Sequence, residues 1–187
     1  NVEKYLQIMD KMAPRYKLEE AEMNFINLMK DQAEAFSEAG DPAAGKRIYT
    51  LLFKHLDSCQ EEVGRPEAVF AFVSLLIKDK QYKECIDILT KENDFFKKTN
   101  PKSVKRNTYA IDCVLLALLM DDSIMAERFL EKYSDDIEGF YSSRDALFCE
   151  KVINAFKSKN QEDFDKVMNG TIAASVFPAT IISTLRK

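Results

Sequence analysis

Apolar residues recur at helical spacing from Tyr82 to Tyr133, and this pattern constrains the fold more than any other feature of the sequence. Successive apolar positions are three, four or seven residues apart, which is the period of an amphipathic α-helix and not the alternation of a β-strand. The pattern breaks at Asn100-Pro101 and again at Asp121-Asp122. It therefore predicts three consecutive helices, the first two of which face each other. Their expected ranges are 82–99, 102–120 and 123–133.

The rest of the chain repeats this alternation of helical pattern and break. Gly40-Asp41-Pro42 and Gly64-Arg65-Pro66 each combine a glycine suited to a helix end with a proline suited to a first helical position. A further helix is expected to start with Ser142 as its cap and Asp145 three residues on. The other helices are predicted at 2–13, 16–38, 42–63, 66–79, 142–157, 162–168 and 171–185, the last being apolar on nearly every side.

Composition agrees with an all-α fold, because the 187 residues include only five Gly and five Pro and leave little room for β-turns. The helices come in pairs with short connections, and the pairs repeat at about 40 residues, a looser period than that of a strict tetratricopeptide repeat. A hairpin of this kind has a face that it cannot bury alone. We therefore predict a solenoid of helical hairpins whose open end is capped by the apolar last segment.

The sequence offers no constellation of catalytic or metal-binding residues. His55 is the only histidine, and no cysteine or serine partner for it is evident, so it is interpreted as a surface or packing residue. The cysteines are far apart and are predicted to be free and half-buried in a reducing cytosol. They are Cys59, Cys85, Cys113 and Cys149. We predict no enzyme, no metal and no cofactor, since phosphate-binding glycine loops are also absent from the sequence.

Net charge argues against nucleic acid as the main partner, and hydropathy argues against a membrane-spanning segment. The net charge of −4 argues against nucleic acid as the main partner. No window of 18 uncharged apolar residues occurs, so no membrane-spanning helix is predicted. The opening run NVEKYLQIMDKM carries charges inside its apolar positions and is not typical of a signal peptide.

Two charged groups remain as candidate binding surfaces. A basic group surrounds Asn100-Pro101, and the helix that follows it opens with bases and ends at Asp121-Asp122, against the preference of the helix dipole. This reversed polarity is a hint that the basic end serves a partner, although a solvated helix end is the ordinary alternative for either group. The basic residues are Lys97, Lys98, Lys102, Lys105 and Arg106; the acidic ones are Glu127, Glu131, Asp135, Asp136, Glu138, Glu150, Glu162, Asp163 and Asp165.

Three runs in order carry a resemblance to a known family: YKECIDILTKENDFFKK, KSVKRNTYAIDCVLLALLMDDSIMAERFLEKY and GFYSSRDALFCEKVINAFKSKNQEDFDKVMN. The basic pair Lys105-Arg106 opens a helix, and an acidic turn precedes the next helix, which contains the run A-E-R-F. Further on, Gly139-Phe140 begins a loop, and a later tract contains D-F-D. In order and spacing these features resemble the soluble NSF-attachment proteins (SNAPs), most closely the gamma type. The resemblance covers about Glu67 to Asn169 well and the earlier helices weakly.

The resemblance implies a fold and a role. The fold is a tetratricopeptide-like right-handed superhelix of antiparallel hairpins, expected at 1–135, continuous with a C-terminal helical bundle at 136–187. The role is that of an adaptor that binds SNARE complexes, which are syntaxin-type helical bundles, and recruits the hexameric ATPase NSF to disassemble them in vesicle fusion and membrane trafficking. The implied location is cytoplasmic and peripheral on membranes. The N-terminal hairpins with a membrane-touching loop, and the ATPase-stimulating tail, are expected to lie outside this chain, which is interpreted as a fragment.

The resemblance also implies two sets of site residues. Lys105 corresponds to a family lysine that contacts the SNARE bundle, and Arg106, Lys102 and Lys98 extend this basic patch. The family's acidic positions that meet NSF align near Asn154 and Lys157-Ser158, which are not acidic. The nearby acids Glu150, Glu162, Asp163 and Asp165 are therefore the candidates for NSF binding. A generic tetratricopeptide-like scaffold that binds peptide segments of partner proteins is the alternative function.

Overall fold

A computed structural model describes residues 2–12, 19–59 and 62–169, and within these ranges every regular element is an α-helix. The all-α prediction is confirmed. The helix predicted at 171–185 lies outside the described residues. Helices α1 to α9 span, in order, Val2–Met12, Glu19–Glu38, Pro42–Cys59, Arg65–Lys78, Tyr82–Thr99, Lys105–Leu119, Ser123–Asp136, Arg144–Ser158 and Gln161–Asn169.

The breaks between helices follow the turn chemistry that the sequence indicates. Gly40 has a φ of 90°, a left-handed conformation that favours glycine at a helix end. The Asp41 carboxylate then accepts a hydrogen bond from the Ala44 amide at 3.0 Å, so it caps α3, which begins at Pro42. The start of α8 differs by one residue from the prediction, because the capping hydroxyl belongs to Ser143 and accepts from the Ala146 amide at 3.1 Å.

The chain divides into two compact units, Asn1–Leu75 and Leu76–Lys187, and the boundary falls inside α4. This boundary comes from the folded chain, whereas the division at residue 135 into a solenoid and a C-terminal helical bundle stays a prediction. In the first unit α2 and α3 form a close antiparallel pair. A Cβ atom added to Gly45 would lie 2.7 Å from the Ala33 carbonyl oxygen, so only glycine fits this helix crossing without displacing the backbone.

In the second unit α6 is the central element, because α5, α7 and α8 all contact it. Every residue from Thr108 to Leu118 is buried. The sequence of α6 is apolar around most of its circumference, which is typical of a helix that is covered on several sides. The predicted hairpin of α5 and α6 is confirmed, and α7, α8 and α9 continue the series of neighbours.

Candidate functional site

The connection between α5 and α6 is a closed turn that positions the predicted basic residues. The Asn100 amide donates to the Phe96 carbonyl at 2.8 Å, and the Ser103 amide donates to the Asn100 carbonyl at 2.9 Å. Helix α6 begins at Lys105, so Lys102 lies in the turn and not in the helix. We call this segment, with Lys97, Lys98, Lys102, Lys105 and Arg106, the basic elbow.

Arg106 differs from the exposed cation that the sequence suggests, since its side chain is only 3% exposed. Its Nε donates to Asn93 Oδ1 at 3.1 Å, and Nη1 donates to the Pro101 carbonyl at 3.2 Å. Nη2 donates to the Asp136 carboxylate at 2.8 Å. The Asn93 amide returns a bond to the Arg106 carbonyl at 2.9 Å. Arg106 thus ties α5, the elbow and the end of α7 together and does not face a partner.

A signal for this burial is present in the sequence. Tyr109, Ala110 and Cys113 follow Arg106 at offsets of three, four and seven, and all three are buried. Helical periodicity therefore places Arg106 on the core side of α6. The charge of the residue concealed this placement, because a buried guanidinium needs partners from other helices, and those partners are not visible in the local pattern.

Three lysines of the basic elbow remain available to a partner. Lys97 pairs with the Asp136 carboxylate, which therefore holds two cations, Lys97 and Arg106. Lys98 and Lys102 are exposed and Lys105 is half-exposed. Within the described part of the chain no acidic side chain pairs with any of these three. Their positive charge is therefore not neutralised by a neighbour among the described residues.

The reversed polarity of α6 has a structural explanation. Helix α6 ends at Leu119, before the acidic pair. Asp122 is the N-cap of α7, and its carboxylate accepts from the Met125 amide at 2.8 Å. Asp122 thus lies at the N-terminal end of the next helix, where an acid is favourable. The acidic end of α6 therefore needs no partner to explain it, while the hypothesis that the basic end serves a partner stays a prediction.

The predicted acidic residues lie on two neighbouring helices, with Glu150 on α8 and the other three on α9. Glu150, Glu162 and Asp163 are exposed, and Asp165 is half-exposed. Lys166 forms an ion pair with Glu162 at 2.9 Å and approaches Asp163 at 3.8 Å. The α9 acids therefore also stabilise their own helix, while the Glu150 carboxylate has no ion-pair partner among the described residues.

His55 and the described cysteines serve packing. The ring of His55 is buried, and its centroid lies 4.9 Å from that of Phe25 in an edge-to-face arrangement, so of the two interpretations, surface or packing, the structure supports packing. Cys85, Cys113 and Cys149 are free, as predicted, but fully buried instead of half-buried. Burial raises the pKa of the Cys85 and Cys113 thiols to about 12, which makes them poor nucleophiles at neutral pH. The side chain of Cys59 lies outside the description.

The described residues contain neither a metal-binding cluster nor a membrane-spanning helix. No group of three or more His, Cys, Asp or Glu side chains in the described ranges is arranged to hold a metal ion. Among the described helices, none combines the length and the apolar character needed to cross a membrane.

The fold and the charged surfaces define an all-α, tetratricopeptide-like protein that presents a basic turn and acidic helix faces. The family described as "Soluble NSF attachment protein, SNAP" has a model that matches residues 27–170. The chain belongs to this family, which confirms the resemblance and extends it toward the N-terminus by about 40 residues from the Glu67 start.

A curated relative supports the assignment. The alpha-soluble NSF attachment protein of Dictyostelium discoideum is 24% identical over 135 residues, which are 72% of this chain and 46% of the relative. The chain spans about half the length of this relative. The gamma type stays a prediction.

Proposed function

We propose that this chain acts as an adaptor without enzyme activity, which binds SNARE complexes and recruits the NSF ATPase for their disassembly in vesicle fusion and membrane trafficking. Membership of the SNAP family supports this role. The single observation that carries the SNARE-binding site is the set Lys98, Lys102 and Lys105, which is held in place by the buried Arg106 and is not neutralised by described acids. We also propose that the protein works in the cytoplasm, peripherally on membranes.

The chemistry of the basic elbow suits an acidic, folded helical surface. Exposed ion pairs contribute about 0.2–1 kcal/mol each, so three lysines supply about 0.6–3 kcal/mol of binding free energy. The hydrogen bonds of the turn and the Arg106 contacts fix the backbone on which the lysines stand, so little backbone entropy is lost on binding. The contribution falls with salt, because the Debye length is about 10 Å at 0.1 M and about 3 Å at 1 M.

For the NSF side we propose the acidic surface of α8 and α9, with Glu150, Glu162, Asp163 and Asp165. Glu150 is the strongest member, because its carboxylate is exposed and not held by a described cation. Glu162 and Asp163 would exchange their contact with Lys166 for contacts with a basic partner. Loss of the Lys166 contact reduces the free energy that these two acids contribute to binding. We therefore expect Glu150→Lys to weaken NSF recruitment more than Glu162→Lys does, as measured by co-sedimentation with NSF.

The SNARE-binding site is tested by charge reversal. We expect Lys102→Glu with Lys105→Glu to weaken retention of an assembled SNARE complex about tenfold at low salt, with a smaller effect at high salt. The matched control is Lys151→Glu with Lys159→Glu, which makes the same change in net charge at exposed positions of α8 and its C-terminal cap. Unchanged retention by the elbow variant would rule out this site.

A groove in the second unit favours the alternative of a peptide-binding scaffold. It has a volume of about 730 Å³ and lies between the start of α5 and the turn after α6. Its lining combines apolar side chains with charges of both signs: Tyr82, Ile88, Met120, Lys80, Lys83, Lys91, Glu84 and Asp87. Apolar side chains between charges of both signs suit an extended peptide that carries apolar residues and charges of both signs. Titration with short peptides and with a folded four-helix bundle separates the two functions. Binding of peptides alone would replace the adaptor proposal.

A further inference from the structure

The loop between α7 and α8 is fixed at both ends. At its start the Asp136 carboxylate is held by Arg106, and Ile137 is buried. At its end Ser143 caps α8, and the Ser143 amide donates to the Phe140 carbonyl at 2.8 Å. Phe140 is buried between these points, and the left-handed Gly139 allows the reversal before it. The loop therefore holds a defined conformation.

This loop displays an aromatic ring to solvent. Tyr141 is 82% exposed, which is more than any other large hydrophobic side chain in the described part of the chain. Val104 in the basic elbow follows at 75%. A single exposed apolar side chain is ordinary on a protein surface, so neither residue indicates a site by itself. Together they indicate a candidate contact surface, because they lie at the same end of the second unit.

Tyr141 and Val104 stand on connections at the same end of the second unit. Arg106 reaches Asp136 just before the loop, and the Asn107 amide donates to the Asp145 carboxylate just after it at 3.2 Å. The α7–α8 loop is thereby joined to the basic elbow through α6. A preorganised aromatic ring thus stands at the end of the unit that also carries three lysines without described ion-pair partners.

The charges around the loop favour a protein partner over a lipid surface. Asp135 and Glu138, six and three residues before Tyr141, are exposed, and their carboxylates oppose the attraction of the elbow lysines to an anionic membrane. A mixed border of acids and lysines around an aromatic residue is typical of protein interfaces, in which tyrosine often supplies a central contact and polar groups form the rim. The lysines of the elbow complement acidic residues on the partner.

We propose that Tyr141 anchors an acidic amphipathic helix of the partner bundle. Its ring packs against apolar side chains of that helix, while Lys98, Lys102 and Lys105 pair with the helix's carboxylates. The proposal rests on the proposed function and adds an apolar contact, on a second loop, to the basic elbow. Because the contact is apolar, it retains its strength at salt concentrations that screen the lysines.

Affinity for a soluble, assembled four-helix SNARE bundle tests this anchor, with the whole chain and a circular dichroism check of folding. We expect Tyr141→Ala to weaken binding by roughly tenfold or more at both low and high salt, whereas Tyr141→Phe stays within about twofold of the parent. The control is Ile124→Ala, which truncates another well exposed apolar side chain at the opposite end of α7. Loss of affinity at low salt alone would contradict an apolar anchor.

The outcomes separate the anchor from the function on which it rests. If Tyr141→Ala binds like the parent while Lys102→Glu with Lys105→Glu binds weakly, the anchor is overturned and the SNARE-binding function stands. If the parent does not bind the bundle, both proposals are overturned. Binding to phosphatidylserine vesicles that is lost in Tyr141→Ala would overturn the protein partner in favour of a membrane contact.

Discussion

At the scale of single residues, Asp136 shows how burial determines what an ion pair contributes to the stability of the fold. It accepts from Arg106, which is almost completely buried, and from Lys97, whose side chain is 52% exposed. Water competes for the lysine but not for the guanidinium, whose other donors are used by Asn93 and Pro101. The same carboxylate therefore takes part in one structural contact and one surface contact.

We expect Arg106→Met to lower the free energy of unfolding by about 3 kcal/mol, because it leaves Asp136 and the buried Asn93 without their main partner. Lys97→Met is the matched control, since it removes the other cation from the same carboxylate and should cost about 1 kcal/mol or less. Urea denaturation measures both values. Equal losses in the two variants would contradict the structural role of Arg106.

The buried His55 predicts a pH dependence of stability. Burial lowers the pKa of His55 from its ordinary value of 6.5, so below that pH the unfolded chain binds a proton before the folded chain does. Stability is therefore complete above pH 6.5 and falls as the pH decreases from there toward the folded pKa, by at most about 1.4 kcal/mol per pH unit.

Thermal unfolding between pH 7 and 5.5 measures this effect, since His55 is the only histidine and carboxylates titrate mainly at lower pH. We expect His55→Gln to remove most of the slope in this window. A parent protein whose melting temperature does not change between these pH values would show that His55 takes up its proton equally well in the folded state.

At the scale of elements, the junction of α6 and α7 shows that neighbouring residues of one type have different functions. Asp122 caps α7 through the Met125 amide. Asp121 lies in a left-handed conformation with a φ of 59°, which suits glycine better than a residue with a side chain. The first aspartate ends one helix at a conformational cost, and the second begins the next helix with a hydrogen bond.

Substitution should therefore change stability in opposite directions at these two positions. We expect Asp122→Ala to lower the free energy of unfolding by about 1 kcal/mol, through loss of the cap. Asp121→Gly should raise the free energy of unfolding by a few tenths of a kcal/mol to about 1 kcal/mol, because glycine adopts the left-handed conformation without strain. Chemical denaturation of both variants gives the comparison, with Asp122→Asn as a control that preserves the cap.

At the scale of the whole molecule, the chain consists of two compact units, each with its own core. Close approach of α2 and α3 at Gly45 stabilises the first unit, and the Arg106 contacts stabilise the second. These two features share no partner among their described contacts. Effects of substitutions in the two units are therefore expected to be independent.

We expect the losses from Gly45→Ala, about 1–3 kcal/mol, and from Arg106→Met to add within about 0.5 kcal/mol in the double variant. Denaturation of the parent, both single variants and the double variant measures the coupling. Ser37→Ala combined with Gly45→Ala tests the cause of the first loss, because a Cβ atom at Gly45 would also collide with the Ser37 hydroxyl. It should restore stability only in part, since the contact with the Ala33 carbonyl remains.

The sequence alone determined the all-α class, the positions of the helices and the family. Helical periodicity and the glycine and proline breaks act within a few residues, so they can be recognised without knowing what each helix contacts. The helix end at Gly40 and the start of α3 at Pro42 were predicted in the same way. The lysines of the basic elbow were found as well, because exposed charge needs no partner.

Only the tertiary structure decided which charges belong to the interior. Arg106 is buried because Asn93 lies on the preceding helix and Asp136 lies 30 residues further along the chain, and both are brought to it by the packing of α5, α6 and α7. Tyr141 became notable for the same reason, since the folded loop buries Phe140 and leaves the neighbouring Tyr141 exposed. Periodicity within one helix contains no information about such long-range partners, and a buried charge is stable only where they exist.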